Sequence, residues 1–155
     1  MSAPVTLRSA DVADWPEIGR LADRAVAHLA DVPAQTEWLE ARRAFTGTRR
    51  QHLAVCTDRV VGYEAVERQQ VEAGGHFRAF VVIDWRADSA IAIADVLLAQ
   101  MEADLGALAA TEVWLREYAT DRPFIEFLLA HGFQCGSPYE THGVWVVTLR
   151  RTLSH

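Results

Sequence analysis

One stretch near the end of the chain, EVWLREYATDRPFIEFLLAHGF at residues 112–133, restricts the possible folds more than any other. Its first part favours a β-strand, because it contains the strand formers Val113, Trp114, Leu115 and Tyr118. Asp121 can then cap a helix whose second position is Pro123, where a missing N–H costs nothing. Apolar residues recur at helical spacing, and Gly132 supplies the left-handed residue that ends the helix. The stretch therefore predicts a strand, a short loop and a helix in unbroken order.

The rest of the sequence predicts a mixture of strands and helices. Alternating or apolar runs predict strands at 5–8, 52–57, 60–68 and 76–83 and a last strand, GVWVVTLR, within 139–151, and apolar spacing predicts helices at 14–30, 36–45 and 90–108. Asp14 and Glu17 have the spacing of a capping box, and Asp58-Arg59 predicts a hairpin turn. A central hairpin followed by strand–helix alternation predicts a mixed sheet with helices on both faces. The apolar run HFRAFVVI, residues 76–83, is expected at the centre of that sheet.

The end of the predicted last helix resembles the final conserved segment of the GNAT superfamily of acetyltransferases. That family usually has Phe-Tyr, three residues and then Gly-Phe, and this chain has Phe127-Leu128, three residues and Gly132-Phe133. The Gly-Phe ending and its spacing match, whereas Leu128 replaces the tyrosine that often protonates the departing thiolate. The order of the predicted elements also resembles the GNAT order over nearly the entire chain.

This resemblance implies an α/β fold. We expect a mixed, mostly antiparallel central sheet of six to seven strands, with about four helices distributed over both faces. The length of 155 residues is that of one domain, so we expect residues 1–155 to form a single unit.

A cofactor site is expected beyond the carboxyl end of a central strand, at residues 83–94, where the N–H groups of a helix begin. In the GNAT family this turn carries Arg or Gln, two residues, Gly, one residue, then Gly or Ala; here those positions are Ser89, Ala92 and Ala94. A polar cap followed by alanines of high helix propensity is the alternative interpretation. The resemblance implies that acetyl-CoA binds the strand end and this turn, at Val81, Val82, Ile83, Ser89, Ala90, Ile91, Ala92, Ile93 and Ala94.

Acetyl transfer to an amine needs a base, donors for the oxyanion and an acid for the leaving thiolate. The family usually supplies the oxyanion donor from a backbone N–H, which would lie near Val82. We predict Glu64 as the base and Tyr118 as the acid that stands in for the missing tyrosine. A Glu on a strand is also commonly solvated, and a Tyr at a strand end commonly packs half-buried. Three further carboxylates stay open as the base, namely Glu67, Asp84 and Glu117.

The resemblance places the acceptor between the first two helices and the last hairpin. The aromatic residues there would favour an apolar or aromatic amine, although the same residues also suit a core: Trp38, Phe45, Tyr139 and Trp145. We predict an N-acetyltransferase that moves the acetyl group of acetyl-CoA to a primary amine of a small molecule or peptide. The alternative is a catalytically inactive module of the same fold that binds an acyl-CoA or a protein partner.

The amino-acid composition argues against several other classes of function. The net charge is −6 and all 15 positive residues are arginine, which argues against nucleic acid as the partner and excludes a Schiff-base lysine. The absence of both Lys and Asn suggests a GC-rich bacterial source. No apolar run of eighteen residues and no signal-like start is present, so we expect no membrane association and a cytoplasmic location.

Two further expectations concern metals and assembly. Cys56 and Cys135 lack the spacing of a zinc site, so we expect no metal and idle thiols in a reducing compartment. An exposed edge on the last strands would allow a homodimer.

Overall fold

The structure, a computed structural model, describes residues 4–29, 50–69, 74–141 and 143–154. The strands are β1 Thr6–Ser9, β2 Arg50–Cys56, β3 Arg59–Arg68, β4 His76–Ile83, β5 Glu112–Tyr118, β6 Gln134–Cys135, β7 Tyr139–Thr141 and β8 Val144–Thr152. The helices are α1 Trp15–Val26, α2 Ala90–Ala107 and α3 Arg122–Ala130, with a 3-10 helix at Val12–Asp14. The long elements lie within a few residues of the predicted bounds, since their sequence periodicity is strong.

All the described strands belong to one sheet in the order β1-β2-β3-β4-β5-β8-β6, with β7 also paired to β8. Only β4 and β5 are parallel, and the other pairs are antiparallel. The predicted mixed, mostly antiparallel sheet is therefore confirmed, with β4 at its centre. Eight strands are described instead of six or seven because β6 and β7 are separate pieces of two and three residues.

Helices cover both faces of the sheet, as predicted. On one face α1 buries its apolar side against β3 and β4, in a cluster that includes Ile18, Leu21, Ala22, Tyr63 and Phe80. On the other face α2 and α3 share a larger core with β5 and β8, which includes Leu98, Met101, Phe124, Val113 and Leu149. The predicted helix at 36–45, with Trp38 and Phe45, lies outside the described residues.

Helix α2 lies very close to the central part of the sheet. A Cβ atom added to Gly62 of β3 would approach Leu97 Cδ1 to 2.7 Å and Ile93 Cγ2 to 2.9 Å. Any larger residue would therefore push the helix away from the sheet. The absence of a side chain at Gly62 allows α2 to pack tightly here, and it fixes which residues of β3 face this helix.

The first helix begins differently from the sequence prediction. The capping box involves Asp11 and Asp14, not Asp14 and Glu17: Ala13 N–H donates to Asp11 at 2.8 Å, and Asp11 N–H donates to Asp14 at 2.9 Å. Arg8 holds the Asp14 carboxylate with two hydrogen bonds of 2.7 and 2.9 Å. These hydrogen bonds fix Asp14 in the 3-10 turn, so it does not cap α1 with its side chain.

The hairpin between β2 and β3 is confirmed, but the predicted turn at Asp58-Arg59 is wrong by one residue, because Arg59 already pairs with Cys56. Its two turn residues, Thr57 and Asp58, have positive φ angles of 51° and 58°, as a tight hairpin turn requires. Among the described helices, none is long and apolar enough to cross a membrane. Strand β8 pairs with β5 along one edge and with the short strands β6 and β7 along the other. The predicted homodimer through an exposed edge of the last strands stays a prediction.

Candidate active-site cleft

The two central parallel strands separate along their length. Residues His76–Arg78 of β4 pair with Glu112–Trp114 of β5, and the register between these strands ends there. Beyond this point β4 still pairs with β3, and β5 still pairs with β8. The C-terminal halves of β4 and β5 therefore face each other without hydrogen bonds, and the sheet opens between them.

A narrow cleft that is open to solvent occupies this opening. Helix α1 forms one apolar wall, and the separated strands form the others. The lining residues are Ala22, Ala25, Val26, Val81, Val82, Ile83, Arg116, Glu117, Tyr118, Asp121, Phe124 and Val146. Four of the predicted site residues are thus brought together here, namely Val81, Val82, Ile83 and Tyr118. The unpaired edge of a strand offers backbone donors and acceptors to an extended ligand, so β4 can bind one as if it were an added strand.

Asp121 is the cleft residue that the sequence analysis did not recognise as functional. Its side chain is only 5 % exposed, and its Oδ1 atom has no hydrogen-bond partner. Burial raises the pKa of this carboxyl to about 6, although the charge of His28 and the N–H of Phe124 partly oppose the shift. A carboxylate with a pKa near 6 is ionised at neutral pH and can still accept a proton.

Asp121 lies at the N-cap position, as predicted, but it makes no capping hydrogen bond that meets normal geometry. The side chain of Asp121 therefore lines the cleft without capping α3. The only sequence feature that could have indicated a place in the cleft is the position of Asp121 shortly after β5, the strand that forms one edge of the opening.

Arg116 links the cleft to the last hairpin. Its Nε donates to the Tyr139 hydroxyl at 3.0 Å, and that hydroxyl also lies 3.0 Å from Thr148 Oγ1. Burial raises the pKa of Tyr139, but the hydrogen bonds of Thr148 and Arg116 and the nearby arginine charges lower it by more. Neither Tyr139 nor Trp145, two of the aromatic residues predicted at the acceptor site, lines the cleft.

The structure does not bring Glu64, the predicted base, to the cleft. Its side chain is fully buried, and its Oε1 lies 2.8 Å from His52 Nδ1 in the region where α2 covers the sheet. Burial, with a smaller contribution from Asp104, raises the pKa of Glu64 to about 10. The carboxyl is therefore protonated at neutral pH and away from any acceptor in the cleft. Of the alternative bases, Glu67 and Asp84 do not line the cleft, whereas Glu117 does.

The predicted cofactor turn, residues 89–94, forms the start of α2. Ser89 is the N-cap residue and makes no side-chain cap hydrogen bond, and Ala90, Ile93 and Ala94 are buried against the sheet. Ile91 is 61 % exposed, and Ala92 is exposed as well. The side chains of Ile93 and Ala94 thus belong to the core, and only the exposed first turn of α2 can meet a ligand.

A shallow groove of about 900 Å³, part of it open solvent, lies beside this turn and the start of α3. Trp85 forms its floor and packs at 5.5 Å, centroid to centroid, on both Phe124 and Phe127. Ala90 and Ile91 of the predicted turn line the groove, together with the acidic residues Asp88 and Glu126. Leu128, at the position of the missing tyrosine, is 1 % exposed within the core and offers no proton donor.

Comparisons with known proteins are informative at the level of structure. No family model and no curated protein sequence matches the chain. A Salmonella typhimurium protein assigned as an acetyltransferase and solved with acetyl-CoA superposes with a TM-score of 0.71 at 16 % identity, over 97 % of this chain and 94 % of that one. A GCN5-related N-acetyltransferase from Kribbella flavida superposes with a TM-score of 0.72 at 20 % identity, over 96 % and 98 % of the two chains.

An N-acetyltransferase from Staphylococcus aureus Mu50 superposes with a TM-score of 0.74 at 14 % identity, over 98 % of this chain and all of that one. Sequence identity in this range carries little information, but the superposition covers nearly every residue. The order of the elements and the opening between two parallel central strands agree with this likeness. The chain therefore has the fold of the GNAT acetyltransferases over nearly its whole length.

Proposed function

We propose that this protein is an N-acetyltransferase that transfers the acetyl group of acetyl-CoA to a primary amine. The observation that carries this proposal is the solvent-connected cleft between β4 and β5, which is lined by ionisable groups and bordered by a strand edge that the register leaves unpaired. A fold-related protein of S. typhimurium is named as holding acetyl-CoA as its cofactor. A chain whose opening was filled by large side chains could bind neither substrate.

The described residues fit acetyl-CoA in two ways. The free edge of β4 at Val81–Ile83 can donate to and accept from the amide groups of the pantetheine arm. The exposed first turn of α2, at Ile91 and Ala92, directs backbone N–H groups outward, where they would hold the pyrophosphate. This turn lacks the glycine and the basic or amide residue that are usual in the family, so backbone donors would carry the binding.

The cleft residues divide the chemistry between them. Asp121 takes the proton of the attacking amine, whose nitrogen forms a bond to the acetyl carbon. The backbone N–H near Val82 stabilises the negative charge on the thioester oxygen. Tyr118 donates a proton to the sulfur as the carbon–sulfur bond breaks. Asp121 is a better base than Glu64 because it lines the cleft and is ionised above about pH 6.

The acceptor binds as an amine because the cleft lining carries two carboxyl groups, Glu117 and Asp121, and one guanidinium, that of Arg116. The residues that α1 contributes to the lining, Ala22, Ala25 and Val26, are apolar. These features favour a small molecule or a peptide with a primary amine on an apolar body over a polycation. They do not distinguish the small molecule from the peptide.

The test is thiol release from acetyl-CoA by the purified protein in the presence of a panel of primary amines. The panel should contain aromatic and aliphatic amines, amino acids and short peptides, and each product should be checked by mass for the added acetyl group. We expect release that depends on one class of amine and exceeds hydrolysis without an amine. Binding of acetyl-CoA without release for any amine would favour the inactive acyl-CoA-binding module.

A further inference from the structure

A second polar cluster lies inside the molecule, away from the cleft. It consists of His52 on β2, Glu64 on β3 and Asp104 on α2, and one potential ligand atom of each lies within 4.8 Å of the others. His52 and Glu64 are direct neighbours in the register between β2 and β3. The cluster therefore joins the hairpin to the C-terminal half of α2. None of its members lines the candidate active-site cleft.

The two carboxyl groups are buried and incompletely bonded. Glu64 is 0 % and Asp104 4 % exposed. His52 Nδ1 lies 2.8 Å from Glu64 Oε1 and 3.3 Å from Asp104 Oδ2. Glu64 Oε2 and Asp104 Oδ2 nevertheless have no hydrogen-bond partner of acceptable geometry. Buried carboxylate oxygens are normally bonded, so these two atoms need a further partner.

A divalent cation would match the charge that the cluster carries once Glu64 releases its proton to solvent on binding. With both carboxylates then ionised and the imidazole neutral, the three side chains carry a charge of about −2. Within the described ranges, His52 is the only residue that forms an ion pair with either carboxylate. Buried charges are usually paired or coordinate a metal, because an isolated one is costly. A divalent cation would neutralise this cluster.

The separations agree with those of metal ligands. Atoms at about 2.0–2.2 Å from a tetrahedral zinc lie about 3.3–3.6 Å from one another. The observed 3.3 Å lies at the lower end of this range and the observed 2.8 Å lies below it, so a small expansion between His52 and Glu64 would accommodate the ion. Gln100 Nε2 donates to Asp104 Oδ1 at 3.0 Å and leaves Oδ2 directed at His52. Such a hydrogen bond to a ligating carboxylate is typical of the surroundings of metal sites.

We propose that His52, Glu64 and Asp104 bind one divalent transition-metal ion that fastens the hairpin β2–β3 to α2. One imidazole nitrogen and two carboxylates form a set that zinc accepts well. The partly exposed ring of His52 is the entry route, because the two carboxyl groups are covered. The proposal is independent of acetyl transfer. It also replaces the expectation of no metal, which rested on cysteine spacing.

The first test uses untagged full-length protein that has been stripped with a chelator and dialysed. It is titrated with Zn²⁺ by calorimetry and with Co²⁺ by visible spectroscopy. We expect one ion per chain and the strong d–d absorption of four- or five-coordinate Co²⁺. A Co²⁺ spectrum of the hydrated ion, or no saturable binding of Zn²⁺, would overturn the proposal and leave a buried carboxyl pair that shares a proton.

Variants assign the ion to this cluster. Glu64→Gln and Asp104→Asn keep the shape of each side chain, and each should weaken Zn²⁺ binding at least about tenfold. His76→Gln is the matched control: it removes a histidine beside the carboxylate of Glu112, at 3.7 Å, and should leave the affinity unchanged. Equal affinity in wild type and both cluster variants would place the ion elsewhere and overturn the proposal. If circular dichroism shows that one variant does not fold, the Zn²⁺ affinity of the other variant and the Co²⁺ spectrum of the wild type test the proposal.

Discussion

Two buried carboxyl groups in this protein have raised pKa values but very different surroundings. Asp121 lines the open cleft, and the pKa of its carboxyl is about 6. Glu64 lies beneath α2 with His52 and Asp104, and its pKa is about 10. Burial raises both pKa values. Of the two, only Asp121 is ionised at neutral pH and lines the cleft.

The comparison shows that a perturbed carboxyl does not by itself locate an active site. Structural clusters perturb pKa values as much as catalytic ones do, so access to a cleft must be added as a criterion. On that criterion we propose acid–base chemistry at Asp121 and Tyr118, and an internal binding or structural role at Glu64. Substitution of Asp121 should therefore lower acetyl transfer strongly, whereas substitution of Glu64 should leave it nearly unchanged.

The largest effect is expected for Asp121→Asn on acetyl transfer. Removal of a general base typically lowers the rate by about 10²–10⁴-fold, and we expect kcat/KM for the amine to fall by this amount. The affinity for acetyl-CoA should change little, because the carboxyl faces the amine. Steady-state thiol release and calorimetry measure the two quantities.

Asp58→Asn is the matched control for Asp121→Asn. Asp58 lies in the exposed hairpin turn and has a positive φ of 58°, which asparagine tolerates. This variant should keep wild-type activity. Equal activity of Asp121→Asn and wild type would mean that Asp121 is not the base, and Glu117 would become the next carboxylate to test.

The next largest effect is expected for Tyr118→Phe. The loss of the proton donor for the leaving sulfur should lower kcat at least about tenfold, with a smaller change in KM. The control is Tyr139→Phe, since the Tyr139 hydroxyl is bonded to Arg116 and Thr148 and lies outside the cleft. A wild-type kcat for Tyr118→Phe would show that solvent or another group protonates the thiolate.

Stability should respond to Asp121 in the opposite direction from activity. Its folded pKa of about 6 lies above the unfolded value of 3.8, so the unfolded chain binds fewer protons between these values. The free energy of unfolding should therefore fall as the pH rises from about 4 to about 6, and stay lower at neutral pH. Asp121→Asn removes this cost and should be more stable at pH 7 by about 1–2 kcal/mol, after allowance for partial solvation.

Urea unfolding of wild type and Asp121→Asn at pH 4, 5, 6 and 7 measures this difference. The two curves should approach each other as the pH falls toward 4, because the carboxyl is then protonated in the folded state and about half protonated in the unfolded state. A variant that is less stable than wild type at pH 7 would show that the ionised carboxylate has a stabilising partner. The carboxylate would then be structural, in contrast to the unpartnered Oδ1 atom.

The smallest effect is expected for Glu64→Gln, measured with a chelator present. The carboxyl is protonated at neutral pH and lies away from the cleft, so an amide of the same shape should leave kcat/KM within about twofold of wild type. A fall in kcat/KM as large as that of Asp121→Asn would contradict the proposal that the cleft, and not the cluster around Glu64, carries the acid–base chemistry. It would support the original sequence prediction of Glu64 as the base.

The sequence predicted the fold better than the site, for a physical reason. Strand and helix periods are local properties, so the bounds of β4, α2 and β5 could be read from residues a few positions apart. Val81–Ile83 followed from the expected position of a ligand at the end of a central strand. Tyr118 was recognised because it ends the adjacent strand.

The two carboxyl assignments could not be made from the sequence. The point at which β4 and β5 separate depends on the whole sheet, and Asp121 has the spacing of an ordinary helix cap. The face to which Glu64 points depends on the close packing of α2 over Gly62, two residues earlier on β3. The metal ligands His52, Glu64 and Asp104 come from three separate elements, so no spacing motif connects them.

The most direct test of the central claim is thermal unfolding of wild-type protein with acetyl-CoA, CoA and ADP at millimolar concentration. A ligand that binds only the folded state raises the unfolding midpoint, with a stabilisation of about 2.7 kcal/mol at a concentration one hundred times Kd. We predict a clear rise with acetyl-CoA and CoA, and a smaller one with ADP, which lacks the pantetheine arm that would lie along β4. An unchanged midpoint with acetyl-CoA for the folded protein would contradict the account, because the cleft would then not be a site for this co-substrate.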